Sequence, residues 1–171
     1  INGLPMVIKA ARNLPEADLW IFICRKEHIK DASIDKALKK YFPNSIVLSI
    51  DYLTEGQAST CLIAKDYLKE DDQLTIGACD NGALYNTKKY NKLINEYDAL
   101  IWTFMNDSVV LEDPKMYGWV KIKNGNRATS ISCKTPISDN PLSDNAIVGT
   151  FYFNRASYFL ESVDKIIFNN R

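Results

Sequence analysis

"LTIGACDNG", residues 74–82, decides how this chain folds. Leu74, Ile76 and Ala78 suit a buried strand, and the apolar run then stops at Cys79-Asp80, with Asn81-Gly82 behind it. In an open parallel sheet, ligands bind outside the carboxyl ends of the strands, so an acid at that point faces a ligand crevice. A hard anionic oxygen there suits Mg²⁺ carrying a nucleotide phosphate. It suits a turn cap shared with Asn81-Gly82 equally well. Position alone leaves both open.

Working outward, the same grammar repeats. Pro5 opens an amphipathic segment with Met6, Ile8, Ala10 and Leu14 on one side, and Pro15 ends it. "LWIFICR" (19–25) has strand length, and "SIDKALKKYF" spaces Ile34, Ala37, Leu38 and Tyr41 as a helix behind a Ser33 cap. "SIVLSI" (45–50) is a strand, followed by a turn and helix in "TEGQASTCLIAKDYL". The strand at 73–79, the helix "TKKYNKLINEY" and the strand at 99–105 continue the alternation. This order predicts an α/β chain of Rossmann-like type, with a mostly parallel central sheet and helices on both faces. Continuous apolar strands are what such double coverage requires. After Met105 the pattern changes. "GWVKIKNGNRATSIS" reads as a small antiparallel hairpin turning at Asn124-Gly125-Asn126, and "NAIVGTFYF" and "RASYFLESVDKIIF" as a final strand and helix. With no repeats or linkers, residues 1–171 read as one domain.

Bulk properties narrow the function. The chain has 21 Lys+Arg against 21 Asp+Glu, so no net field draws it to nucleic acid or an anionic membrane. No apolar run approaches the roughly 18 residues of a membrane span. Cys24, Cys61, Cys79 and Cys133 are scattered, with no zinc-type spacing, and read as free thiols of a reducing cytoplasm. His28, the lone histidine, has no Ser or Cys nucleophile beside it and reads as a surface residue. Trp20, Trp102 and Trp119 fall within predicted strands and read as core or sheet-face residues. Gly56 closes a turn before a helix whose N-terminus would point into the same crevice as Asp80, although no complete phosphate-binding loop motif occurs. Lys134 heads a polar loop from which an ammonium could reach a phosphate; as an isolated exposed lysine it reads first as a solubilising group.

Four segments together resemble the sugar-1-phosphate nucleotidylyltransferases, in particular those of bacterial capsular or lipopolysaccharide synthesis. "NGLPMVIKAARNL" is similar to the family's NGKPMI segment, with Leu4 in place of its usual Lys. "TEGQASTCLIAKDYL" resembles its base-contacting turn and helix, "TIGACDNG" its strand ending in a metal-binding Asp, and "CKTPISDNPLSDNAIVGTFYF" its EKP loop and following strand. The resemblance implies the nucleotide-diphospho-sugar transferase fold, with Asp80 binding a catalytic Mg²⁺ and Lys134 approaching the sugar phosphate. Glu55, Gly56 and Gln57 would line the base pocket, and Gly149 would keep the backbone close to the sugar. The implied partners are a nucleoside triphosphate and a sugar-1-phosphate, without nucleic acid or membrane; homo-oligomerisation is left open.

The chain also departs from that pattern. Cys133 stands where the EKP loop has Glu. The family's GxGxR loop and its following Lys precede the first segment, and a second metal-ligating Asp follows well downstream; neither is in these residues. The expectation is therefore an excised core, truncated at both ends and inactive alone. The family's first strand would lie between those expected at 19–24 and 73–79. Without it, those two edges need a neighbouring chain, upstream residues, or closure of the sheet. Two alternatives remain. A metal-dependent glycosyltransferase would show Asp-x-Asp where Asp80-Asn81-Gly82 stands, and a non-catalytic domain would bind nucleotide or sugar without turnover.

Overall fold

A computed structural model describes residues 3–169. In chain order the regular elements are α1 (Met6–Ala11), β1 (Ile21–Arg25), α2 (Lys26–Ala32), α3 (Ile34–Tyr41), β2 (Ile46–Ile50), α4 (Gln57–Leu62), β3 (Leu74–Ile76), α5 (Thr87–Glu96), β4 (Ala99–Phe104), β5 (Gly118–Lys123), β6 (Arg127–Cys133), β7 (Asn145–Phe153) and α6 (Ala156–Asn169), with short 3₁₀ turns between some of them. The chain divides into two compact units, Ile1–Leu100 with Tyr152–Arg171, and Ile101–Phe151.

The expected mostly parallel central sheet is overturned, while the small antiparallel hairpin is present. β1 and β2 form a separate two-stranded parallel sheet, in register from Ile21↔Ile46 to Arg25↔Ile50. The other sheet has five strands in the order β3-β7-β5-β6, with β4 also on β7, and its β5–β6 and β5–β7 pairs are antiparallel. The physical reason lies in β7. Its nine residues bury Ala146, Thr150 and Tyr152 at even spacing, on one face, and its length leaves backbone edge enough to pair with β3, β4 and β5. The late strands thus build the larger sheet instead of decorating it. β1, by contrast, buries only Phe22, and β2 buries no residue, so their apolar runs do not signal coverage on both faces.

In the first unit, Ile8, Ala11, Phe22 and Leu38 form a core beneath Trp20, Tyr41 and Phe42. The three rings of Trp20, Phe22 and Phe42 pack with centroids 4.8–6.0 Å apart. Asn86 caps α5, accepting from the Lys89 N–H at 2.9 Å. The expected Ser33 cap is different in kind. Ser33 adopts a left-handed φ of 49°, makes no side-chain cap, and its N–H donates back to Ile29 O, ending α2. α2 itself is an addition to the sequence reading. His28 lies on it, exposed.

In the second unit, Trp119 is fully buried with Val110 and Ala146, and its indole N–H donates to Pro114 O at 3.1 Å. The hairpin turns where expected: Asn124 and Gly125 both take positive φ, 51° and 85°. Asp144, buried, accepts from the Ser138 N–H and hydroxyl at 2.8 and 2.9 Å, fixing the loop before β7.

Candidate functional site

The first unit encloses a cavity of about 1380 Å³. β1 pairs only with β2, and β3 ends its sheet, so among the described residues each has one edge without a strand partner. Residues of both strands line this cavity. The two segments expected at 19–24 and 73–79 therefore fall in separate sheets.

Asp80 and Gln57 line the same cavity. Asp80 is exposed on a bend just past β3, so the carboxylate surfaces as its position suggested. β3 is shorter than expected, and the residues between Ile76 and Thr87 have no regular structure. That loop is held at both ends of Asp80. A Cβ on Gly77 would sit 2.5 Å from Leu14 Cδ1, and one on Gly82 would sit 2.8 Å from Asn13 Oδ1. The Leu14 and Asn13 side chains thus lie close against the backbone at both glycines and would have to shift for a larger residue.

Glu55 is exposed, and Gly56 caps α4 with extended backbone. A Cβ at Gly56 would meet nothing within 4 Å, so packing does not demand glycine at this position. The turn is tied by the Thr54 and Thr60 hydroxyls, which donate to Gly56 O at 3.3 and 3.0 Å. Lys134 and Gly149 belong to the second unit. Lys134 is exposed, takes a left-handed φ of 61°, and its N–H donates to Tyr117 O at 3.0 Å. Gly149 takes φ 90° within β7, a conformation that disfavours any side chain.

The thiols around the cavity are electrostatically distinct. Burial pushes the Cys61 thiol up to about 11. Burial, then Asp35 and Cys79, raise Cys24; burial, then Asp80, raise Cys79. All four cysteines are free, as expected, although Cys79 and Cys133 are exposed and not core residues. Three tyrosines on the cavity wall escaped the sequence reading: Tyr85 meets Tyr90 edge-on at 5.6 Å, and Tyr90 meets Tyr152 at 6.0 Å. The spacing of Tyr85 and Tyr90 around the Asn86 cap was the available signal, whereas Tyr152 comes from a distant strand.

Among the described residues, no group of three or more His, Cys, Asp or Glu is arranged to hold a metal ion. A divalent ion at Asp80 would therefore draw most of its ligands from phosphate and water. Asp80 alone could give such an ion one carboxylate, and Mg²⁺ commonly takes one or two carboxylates beside substrate phosphates.

The fold resembles that of solved UDP-glucose pyrophosphorylases. Two solved structures carry that statement. UDP-glucose pyrophosphorylase complexed with UDP-glucose superposes with a TM-score of 0.58 at 10% identity, covering 88% of this chain and 63% of that one. The apo form of a UDP-glucose pyrophosphorylase gives 0.56 at 12% identity, covering 87% and 63%. This chain thus spans less than two thirds of either neighbour. No protein-family model and no curated protein matches it. No helix among the described residues is long and apolar enough to cross a membrane.

Proposed function

We propose that this chain is the core of a nucleotidyltransferase whose full-length form transfers a nucleotidyl group from a nucleoside triphosphate to a sugar-1-phosphate. An oxygen of the sugar phosphate attacks the α-phosphorus, the bond to the bridging oxygen breaks, and pyrophosphate leaves with an NDP-sugar formed. Such a reaction asks for positioning and charge neutralisation more than for a protein nucleophile. The observation that carries the reading is an exposed Asp80 sharing one cavity with Gln57, in a chain with this fold. Glu55, Gly56 and Gln57 hold the base. The absence of any packing demand for glycine at 56 is consistent with a ligand's close approach there. Asp80 would hold Mg²⁺, which when bound neutralises phosphate charge. Lys134 and Gly149 lie in the other unit and have no part in this reading.

The test is pyrophosphate release by the full-length protein with Mg²⁺, each common nucleoside triphosphate and a panel of sugar-1-phosphates. Asp80→Asn is expected to lower turnover by roughly a hundredfold or more, the scale of losing one preorganised electrostatic contact. Nucleotide binding without release above background would instead identify a binding domain. Unchanged turnover in Asp80→Asn would remove Asp80 from the reaction.

A further inference from the structure

The segment that carries Asp80 has no regular structure between Ile76 and Thr87, yet it must hold a carboxylate still. Leu84, inside it, is 97% exposed and anchors nothing. Gly77 and Gly82 abut Leu14 and Asn13, but these contacts need only the absence of a side chain and supply little area of their own. The one large apolar group of the segment that packs on a fixed element is Tyr85. Its ring meets Tyr90 of α5 at 5.6 Å and 71°, and Tyr90 meets Tyr152 at 6.0 Å and 79°. Tyr152 is 2% exposed in β7, so the row of rings ends on a rigid wall. Edge-to-face aromatic pairs contribute beyond their buried area.

We infer that Tyr85 is a positioning residue: its ring, docked on Tyr90 and through it on Tyr152, fixes the Gly77–Asn86 loop so that Asp80 stays at the cavity rim. The inference rests on the proposed reading of Asp80 for its functional consequence, but the docking itself does not depend on any ligand. It also explains why an acid can be presented from irregular chain. The loop is closed at its far end by a ring lying immediately before the Asn86 cap of α5.

Cys79 supplies a ligand-free readout, because it is exposed and adjoins Asp80. Maleimide labelling at fixed pH, read by peptide mass mapping, compares Cys79 with exposed Cys133 and with the more deeply placed Cys61. Limited digestion by a protease of broad specificity, which must draw several loop residues off the fold before it can cut, adds the opening-gated readout. In Tyr85→Ala, cleavage within residues 77–86 is expected to run roughly tenfold faster, with Cys79 labelling rising alongside it, while cleavage within β7 and the rates of Cys61 and Cys133 are unchanged. Tyr85→Phe, which keeps the ring, and Leu84→Ala are expected to match the parent. In the full-length protein, Tyr85→Ala is further expected to lose the Mg²⁺-dependent gain in nucleoside triphosphate affinity and keep the metal-free affinity. An unchanged rate of cleavage within residues 77–86 in Tyr85→Ala overturns the inference. So does a general rise that includes Cys61, which makes Tyr85 a support of the whole fold. If cleavage accelerates within residues 77–86 alone while the parent protein binds no nucleotide, the anchor stands and the functional reading falls.

Discussion

Trp119 and Trp20 both come from strand-like apolar runs, and the two units treat them differently. In Ile101–Phe151, Trp119 is completely enclosed by Val110, Ala146 and neighbours, with its N–H satisfied by Pro114 O. In the other unit, Trp20 stacks on Phe22 and meets Phe42 at a tilt but also lines the cavity, and β1, which follows it, buries one residue of five. One unit is built as a closed antiparallel core. The other keeps strand edges, thiols, an acid and tyrosines around open space. A protein needs the first kind of packing for stability and the second for a ligand, and here the two duties fall on different stretches of chain.

The contrast breaks most readily at the tryptophans. Trp119→Ala should cost about 3–5 kcal/mol of unfolding free energy, since the enclosed site cannot collapse around the void. Trp20→Ala should cost clearly less, because one side of the ring already faces a cavity. Denaturant melts of the two variants decide it, and equal losses would erase the distinction.

The next effect is alkaline. Cys61 holds its proton to about pH 11 in the folded chain, above the ordinary thiol value of 9.0. Between those values the folded state binds more protons than the unfolded one, so stability is intact below about pH 9 and falls as pH rises through 11. A shift of this size corresponds to about 2–3 kcal/mol. Melts across pH 8–11 should show the loss, and Cys61→Ala should flatten it.

Asp144→Ala probes the closed unit from its polar side. Removing an acceptor of two hydrogen bonds from Ser138 should cost about 1.5–2 kcal/mol, and Asp144→Asn should recover part of that. A loss within experimental error would show that the loop before β7 holds itself without the carboxylate.

Much of the element order was legible. α5, β4, the hairpin and β7 lie where period and turn chemistry put them, because each rests on local signals. α2 was not legible: "KEHIKDA" carries only two apolar residues, Ile29 and Ala32, and buries neither, too few to give a helical period to read. Sheet assembly was illegible for a different reason. An apolar run such as "LWIFICR" announces burial without saying by what, and the pairing of β7 with three other strands is set by chain far removed in sequence. For the candidate site, the exposure of Asp80 followed from where its strand stops, whereas Gln57 was reached through the family resemblance and no local pattern placed it on the same cavity wall. The tyrosine row depended on Tyr152, which no local pattern connects to Tyr85.

β6 closes the five-stranded sheet, and among the described residues its outer edge has no strand partner. None of its residues is buried, and Ile131 is 61% exposed. Such a border is a template on which other chains can stack. Arg127, Thr129, Ser130 and Ser132 make it a poor one. Apolar replacements at Thr129 and Ser130 would strip away that protection, at a strand remote in sequence from Asp80.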